Sequence, residues 1–111
     1  KTGKGEIMKK IRFNKYYKKP LLEDLKITTI RNEKKCRTNE VCCATTENDE
    51  FICKIRVHHI QPIKYKDLTQ EIAWNDGFKH IDLLKKELKE LYPYLGEYDE
   101  LFIHHFTRIL Y

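Results

Sequence analysis

Glycine and proline are scarce, four and three in 111 residues, which excludes collagen-like and low-complexity chains. No apolar run approaches the ~20 residues that a membrane span needs. No apolar core of a secretory signal stands near the start. The chain carries no CxxC, Walker loop, HExxH, GxSxG or dinucleotide fingerprint. Nucleotide hydrolysis, zinc proteolysis, serine-hydrolase chemistry and redox cofactor chemistry therefore find no support. Hydrophobic residues make up 41% and charged residues 35%, enough apolar material for one modest core and too much for a disordered chain. These exclusions predict one small, soluble, cytoplasmic domain with no cofactor and no membrane contact. Residues 1–8 read as a loose basic tail or an added remnant ahead of a start at Met8, and residues 9–111 as the domain.

Charge of one sign is missing from neither half, but it is unevenly spread. Residues 1–37 hold thirteen Lys or Arg against four acids, a balance of +9, and the remainder carries −4, giving +5 overall. A basic half of this kind attracts polyanions through phosphate neutralisation and counterion release. It is equally compatible with a Lys-rich surface that meets no partner.

Cysteine is modest: Cys36, Cys42, Cys43 and Cys53. Without a secretory signal these are expected to be reduced. Cys42 and Cys43 are adjacent, so on a strand they point to opposite faces and do not readily share one tetrahedral ion. The pairs His58–His59 and His104–His105 have the same defect. Buried thiols, ordinary strand histidines and no metal are expected.

Periodicity places the elements. Strands are predicted at Ile11–Asn14 and Ile27–Arg31, with a short helix at Pro20–Leu25 between them, Pro20 suiting its first turn. Arg31–Arg37 reads as a charged loop. Val41–Thr46 and Phe51–Ile60 form a hairpin about Glu47-Asn48-Asp49, with Phe51, Cys53, Ile55 and Val57 facing the core and Pro62 interrupting the second strand. Thr69 has N-cap chemistry for a helix over Gln70–Asp76, which Gly77 ends in left-handed geometry. Ile81, Leu84, Leu88 and Leu91 mark an amphipathic helix stopped at Tyr92-Pro93. Glu100–Ile109 closes the chain as a strand. The order β-α-β-β-β-α-α-β predicts an α+β domain, a small open barrel with inserted helices.

Three segments in this order, spanning roughly residues 9–109, resemble the ASCH family of the PUA-like superfamily. They are Ile11–Arg31 (IRFNKYYKKPLLEDLKITTIR), Tyr65–Phe78 (YKDLTQEIAWNDGF), and Leu84–Phe106 with its Lys-rich helix, Tyr92-Pro93 and final strand. The chain departs from the family pattern in places. Asp24 stands where the family usually has Gly, Ile27 where it has the first Thr of its strand motif, and Asn39-Glu40 where it has Gly-Asp. The resemblance implies a small PUA-like β-barrel with flanking helices and a cleft facing RNA or a modified nucleoside or nucleotide. The protein would act as a monomer or weak homo-oligomer.

Some family members are amidohydrolases of N4-acetylcytidine with a Lys, a Thr and an acid as catalytic groups. By motif position these fall on Lys26, Thr29 and Asp76, with Asp in place of Glu. The chemistry is coherent. A Thr hydroxyl attacks only when a base takes its proton. A lysine serves as that base when burial or nearby cations lower its pKa from ~10.4. An acid can then protonate the leaving amine. Lys26 and Thr29 are three positions apart and would face opposite sides of an ideal strand, so a bulge or a preceding turn must bring them together.

Arg31, Lys34, Lys35 and Arg37 are the expected contacts to phosphate or base, through bidentate gripping and positive charge. Tyr17 and Trp74 are expected as stacking faces. In the plainest alternative Lys26 is a solvated strand-entry charge, Asp76 pairs with Lys79, and Arg31 pairs with Glu33 or Glu71. Three functions remain open: an RNA- or nucleoside-binding module, a small amidohydrolase, and a protein-interaction adaptor.

Overall fold

A computed structural model describes residues 8–110; the expected tail lies outside them except for Met8. Five strands form one sheet in the order β1-β3-β4-β5-β2. They are β1 (Lys10–Phe13), β2 (Thr28–Arg31), β3 (Glu40–Thr46), β4 (Phe51–Lys64) and β5 (Glu100–Ile109). β1 runs parallel to β3, and the other pairs are antiparallel. The sheet curls into a half-barrel, and its two edge strands are tied across the opening by the Arg31 side chain, whose Nη2 donates to the Arg12 carbonyl at 2.7 Å.

Three helices flank the sheet: α1 (Lys18–Leu22), α2 (Gln70–Asn75) and α3 (Ile81–Leu91). One apolar cluster, including Ile11, Phe13, Ile55, Val57 and Phe106, fills the region of β1, β3 and β4. A second packs Leu84 and Leu88 of α3 and Ala73 of α2 against Ile30, Leu101 and Ile103. Full burial of a leucine is worth ~1.5–3 kcal/mol, so Leu84 and Leu88 are the main apolar anchors of α3.

Helix ends follow the sequence signals. The Thr69 hydroxyl accepts from the Ile72 amide at 3.2 Å, and Gly77 has φ +93° just past α2. α1 is shorter than predicted because the chain turns back early: Leu25 and Lys26 both donate to the Pro20 carbonyl, at 2.9 and 3.2 Å. The two non-glycine departures have a common explanation. Asp24 (φ +57°) and Asn39 (φ +70°) both occupy the left-handed region, which Asp and Asn tolerate better than other side-chain-bearing residues. Arg108 also grips the Asp24 carboxylate through two nitrogens, each at 3.1 Å.

Two strand expectations are corrected. Pro62 does not interrupt β4, which runs on to Lys64 with Pro62 opposite Phe102. β3 pairs with β4 only up to Val57, so one edge of β4 is open at Pro62 and no ladder amide is needed there. The register between β3 and β4 slips between Ala44 and Thr45. This bulge turns Ile52 inward and leaves Phe51 exposed, reversing the expected facing at the strand's start.

Candidate functional site

The turn after α1 delivers Lys26 to the end of α2. Ile27 donates its amide to the Asn75 carbonyl at 2.8 Å, which stitches the turn to the helix one residue before Asp76. Gly77 is required here twice over: its φ is positive, and a Cβ would stand 3.3 Å from the Lys26 Cβ. Lys26 and Asp76 are each 3% exposed. The ammonium lies 3.1 Å from Asp76 Oδ2 and donates to the Asp76 carbonyl at 2.9 Å. Thr28 Oγ1 donates to Asp76 Oδ1 at 2.7 Å.

Aromatic rings complete the enclosure of Lys26. Its Nζ is 4.7 Å from the Tyr17 ring centre and about 6 Å from those of Phe13 and Phe78. The Tyr17 hydroxyl donates to the Glu87 carboxylate of α3, and burial together with that carboxylate raises the Tyr17 pKa. Burial pushes the Asp76 carboxyl up from its ordinary value, against the opposing pull of Lys26 and the Thr28 hydroxyl. A buried ion pair is expensive to desolvate. Moving one proton from Nζ to the carboxylate gives a neutral amine beside a neutral acid, a base and an acid in contact.

β2 begins at Thr28, so Lys26 lies in the preceding turn, one of the two geometries that the three-residue spacing demands. Lys26, Thr29 and Asp76 line one cavity of about 310 Å³. The alternation of β2 sends its adjacent threonines to different work. Thr28 holds Asp76, whereas Thr29 Oγ1 accepts from Arg31 Nε at 2.9 Å. Arg31 also lies 5.2 Å from the Phe13 ring centre. Burial draws its pKa down. Among the described residues it forms no ion pair with Glu33 or Glu71, and Asp76 pairs with Lys26 rather than Lys79.

The cavity also takes in Tyr17, Arg12, Glu87, Glu90 and Tyr92. Its three basic and three acidic side chains balance formally. A larger hollow of about 470 Å³ adjoins it through Leu91 and Tyr92 and is lined by Asn32, Tyr94, Asp99 and Glu100 among others. That hollow is lined by no lysine, arginine or threonine, whereas the smaller cavity holds Lys26, Thr29, Arg31 and Asp76 together.

Four expected contacts lie elsewhere. Trp74 is exposed and donates its indole N–H to the Lys79 carbonyl at 3.3 Å. It does not line the cavity. Neither do Lys34, Lys35 and Arg37 in the loop between β2 and β3. Lys35 pairs with Glu33 at 3.3 Å, and Lys34 lies over the Phe102 ring. Sequence reading missed Thr28, Phe13, Phe78 and Glu87. Glu87 had a visible signal, a carboxylate at the i+3 position of the Leu84-Leu88-Leu91 stripe. The ring contributions of Phe13 and Phe78 had none.

A match to the ASCH domain model covers residues 9–110. An N(4)-acetylcytidine amidohydrolase of Serratia proteamaculans is 30% identical over 103 residues, covering 90% of this chain and 97% of that relative. Proteins of the same name from Vibrio campbellii and a Shewanella species are 28% and 27% identical. They cover 79% and 90% of this chain and 85% and 90% of their own lengths. The solved ASCH domain from Lactobacillus crispatus superposes with a TM-score of 0.73 at 12% identity, over 94% of this chain and 82% of that one. A protein of Enterococcus faecalis gives 0.70 at 14% identity, over 85% and 67%. With the half-barrel, its three helices and nearly the whole chain matched, this protein belongs to the ASCH domain family.

Proposed function

We propose that this protein is a small amidohydrolase that removes the acyl group from an N4-acylated cytidine-type nucleoside. The observation that carries this reading is the buried Lys26–Asp76 pair, which lines with Thr29 one cavity of about 310 Å³, near the lower end of ligand-site volumes of roughly 300–1,000 Å³. Relatives with the printed name N(4)-acetylcytidine amidohydrolase support the substrate class. The formal charge balance of the cavity lining suits a neutral acyl-base.

In the reactive tautomer the Lys26 amine takes the Thr29 hydroxyl proton as Oγ1 attacks the acyl carbonyl carbon. Arg31 Nε, already on Oγ1, holds the hydroxyl in place and supports the alkoxide as its proton departs. The Asp76 acid protonates the departing exocyclic nitrogen, and the C–N bond breaks. The free nucleoside leaves an acyl ester on Thr29. Water, deprotonated by the Asp76 carboxylate, then attacks that ester. As the C–O bond breaks the Lys26 ammonium returns its proton to Thr29 Oγ1, and acetic acid leaves and ionises to acetate. Thr28 keeps the Asp76 carboxyl oriented throughout.

The test is incubation with N4-acetylcytidine while following release of cytidine. Turnover that disappears in Lys26→Ala and Thr29→Val and survives in part in Thr29→Ser supports the reading. Absence of turnover, or full rates in those variants, sinks it. A second reading, RNA binding, rests on the exposed Lys34 and Arg37 of the basic loop. Saturable, salt-dependent RNA retention without turnover would favour it.

A further inference from the structure

A second group of chemically capable side chains sits apart from the cavity. Adjacent cysteines on a strand do not readily share an ion, but the loop after β2 brings Cys36 back against Cys42 of β3. The two thiol sulfurs and a Glu40 carboxylate oxygen all lie within 4.8 Å of one another. Three atoms so placed lie within about 2.8 Å of a common centre, against zinc–ligand lengths of about 2.0–2.3 Å. Closure of roughly half an ångström would therefore bring all three into bonding range.

The two thiol protons leave for solvent on binding, and Lys9 offsets part of the charge that such a centre would carry. Two thiolates and one carboxylate around a divalent ion leave one net negative charge. Lys9 Nζ stands 3.7 Å from Glu40 Oε1, and the Arg37 amide fixes the same oxygen at 2.8 Å. Glu40 is partly exposed beside two buried thiols, which gives the ion a route from solvent and a position for a fourth, water ligand. Cys43 is excluded, because its sulfur faces Met8 Sδ at 3.3 Å.

We propose that Cys36, Glu40 and Cys42 form a binding site for one thiophilic divalent cation of the zinc type. Thiolates select such ions over magnesium and calcium. Occupancy would clamp the basic loop to β3.

The experiment titrates the full chain, its thiols kept reduced by a phosphine, with Co²⁺ as a spectroscopic probe. The expected result is the intense visible absorption of tetrahedral cobalt with a thiolate-to-metal band, saturating at one equivalent and displaced by Zn²⁺. Cys36→Ser should abolish it, Glu40→Gln should weaken cobalt affinity at least tenfold, and Cys43→Ser should leave it unchanged. Should Cys36→Ser fail to fold, Glu40→Gln alone decides, because it keeps both thiols. No thiolate band in the parent chain, or the same band in Cys36→Ser or an unchanged affinity in Glu40→Gln, would overturn the proposal and leave a packed thiol pair.

Discussion

At the scale of single residues, the Lys26–Asp76 pair has no solvent to fall back on. Removing one partner of a buried pair leaves the other uncompensated, a cost of about 3–5 kcal/mol. Lys26→Met is therefore expected to lower unfolding free energy by that order, read from urea denaturation. The double variant Lys26→Met with Asp76→Asn should recover much of the loss. Asp76→Asn alone keeps a polar group opposite Thr28 and Lys26 but cannot deliver a proton. Its turnover of N4-acetylcytidine should fall at least ~10²-fold with a smaller change in KM. Asp76, short as it is, reaches both Lys26 and Thr28.

At the scale of elements, the backbone that aims these groups depends on left-handed positions. A left-handed residue with a Cβ costs roughly 1–2 kcal/mol unless it is Asn or Asp. Asn39→Ala, at φ +70° between the basic loop and β3, should cost about 1 kcal/mol, whereas Asn39→Gly should be neutral or slightly stabilising. Gly77→Ala carries a further burden, since its Cβ would press on Lys26 at 3.3 Å. Thermal unfolding should register both alanine variants. Gly77→Ala should in addition reduce turnover, a loss that Asn39→Ala, outside the cavity, would not share.

At the scale of the whole molecule, pH bears on the sheet through its histidines. His104 is fully buried. Its Nε2 accepts from the Lys35 amide at 3.0 Å, so Nδ1 carries the proton and faces the Thr29 and Phe102 carbonyls. Burial lowers the pKa of His104, and burial with the neighbouring His59 and His58 lowers that of His105. At these two histidines the unfolded chain therefore binds more protons than the folded one below ~6.5. Stability should fall as pH drops from that value towards the lowered folded ones. Denaturation at pH 7.5 and 5.5 checks this, and the slope should shrink in His104→Asn. Charge offers a second whole-molecule test. Reversing Lys34 and Lys35 to Glu should leave deacylation within about twofold, because neither lines the cavity; only RNA retention, if present, should suffer.

Local chemistry made much of this chain legible from sequence. Periodicity located β5 and α3, and Thr69 and Gly77 marked the ends of α2. The motif order pointed to the ASCH family and a small α+β barrel with flanking helices, which the five-stranded sheet forms as a half-barrel. Lys26 and Asp76 were both candidates from motif position, but their contact across fifty residues was not foreseen, and Lys79 was the partner expected for Asp76. What local pattern cannot carry is register and approach. The bulge that turns Ile52 inward, the open edge that admits Pro62 and the division of labour between Thr28 and Thr29 depend on contacts between separate elements. The meeting of Cys36, Glu40 and Cys42 depends on the path the loop takes into β3. Trp74 shows the limit most plainly: one helical step from Asp76 in sequence, it lies outside the cavity. Sequence alone determined which residues are chemically able and which segments are regular, because those properties belong to side chains and their near neighbours. Tertiary structure alone decided which able residues meet, because burial and the curl of the sheet bring distant segments together.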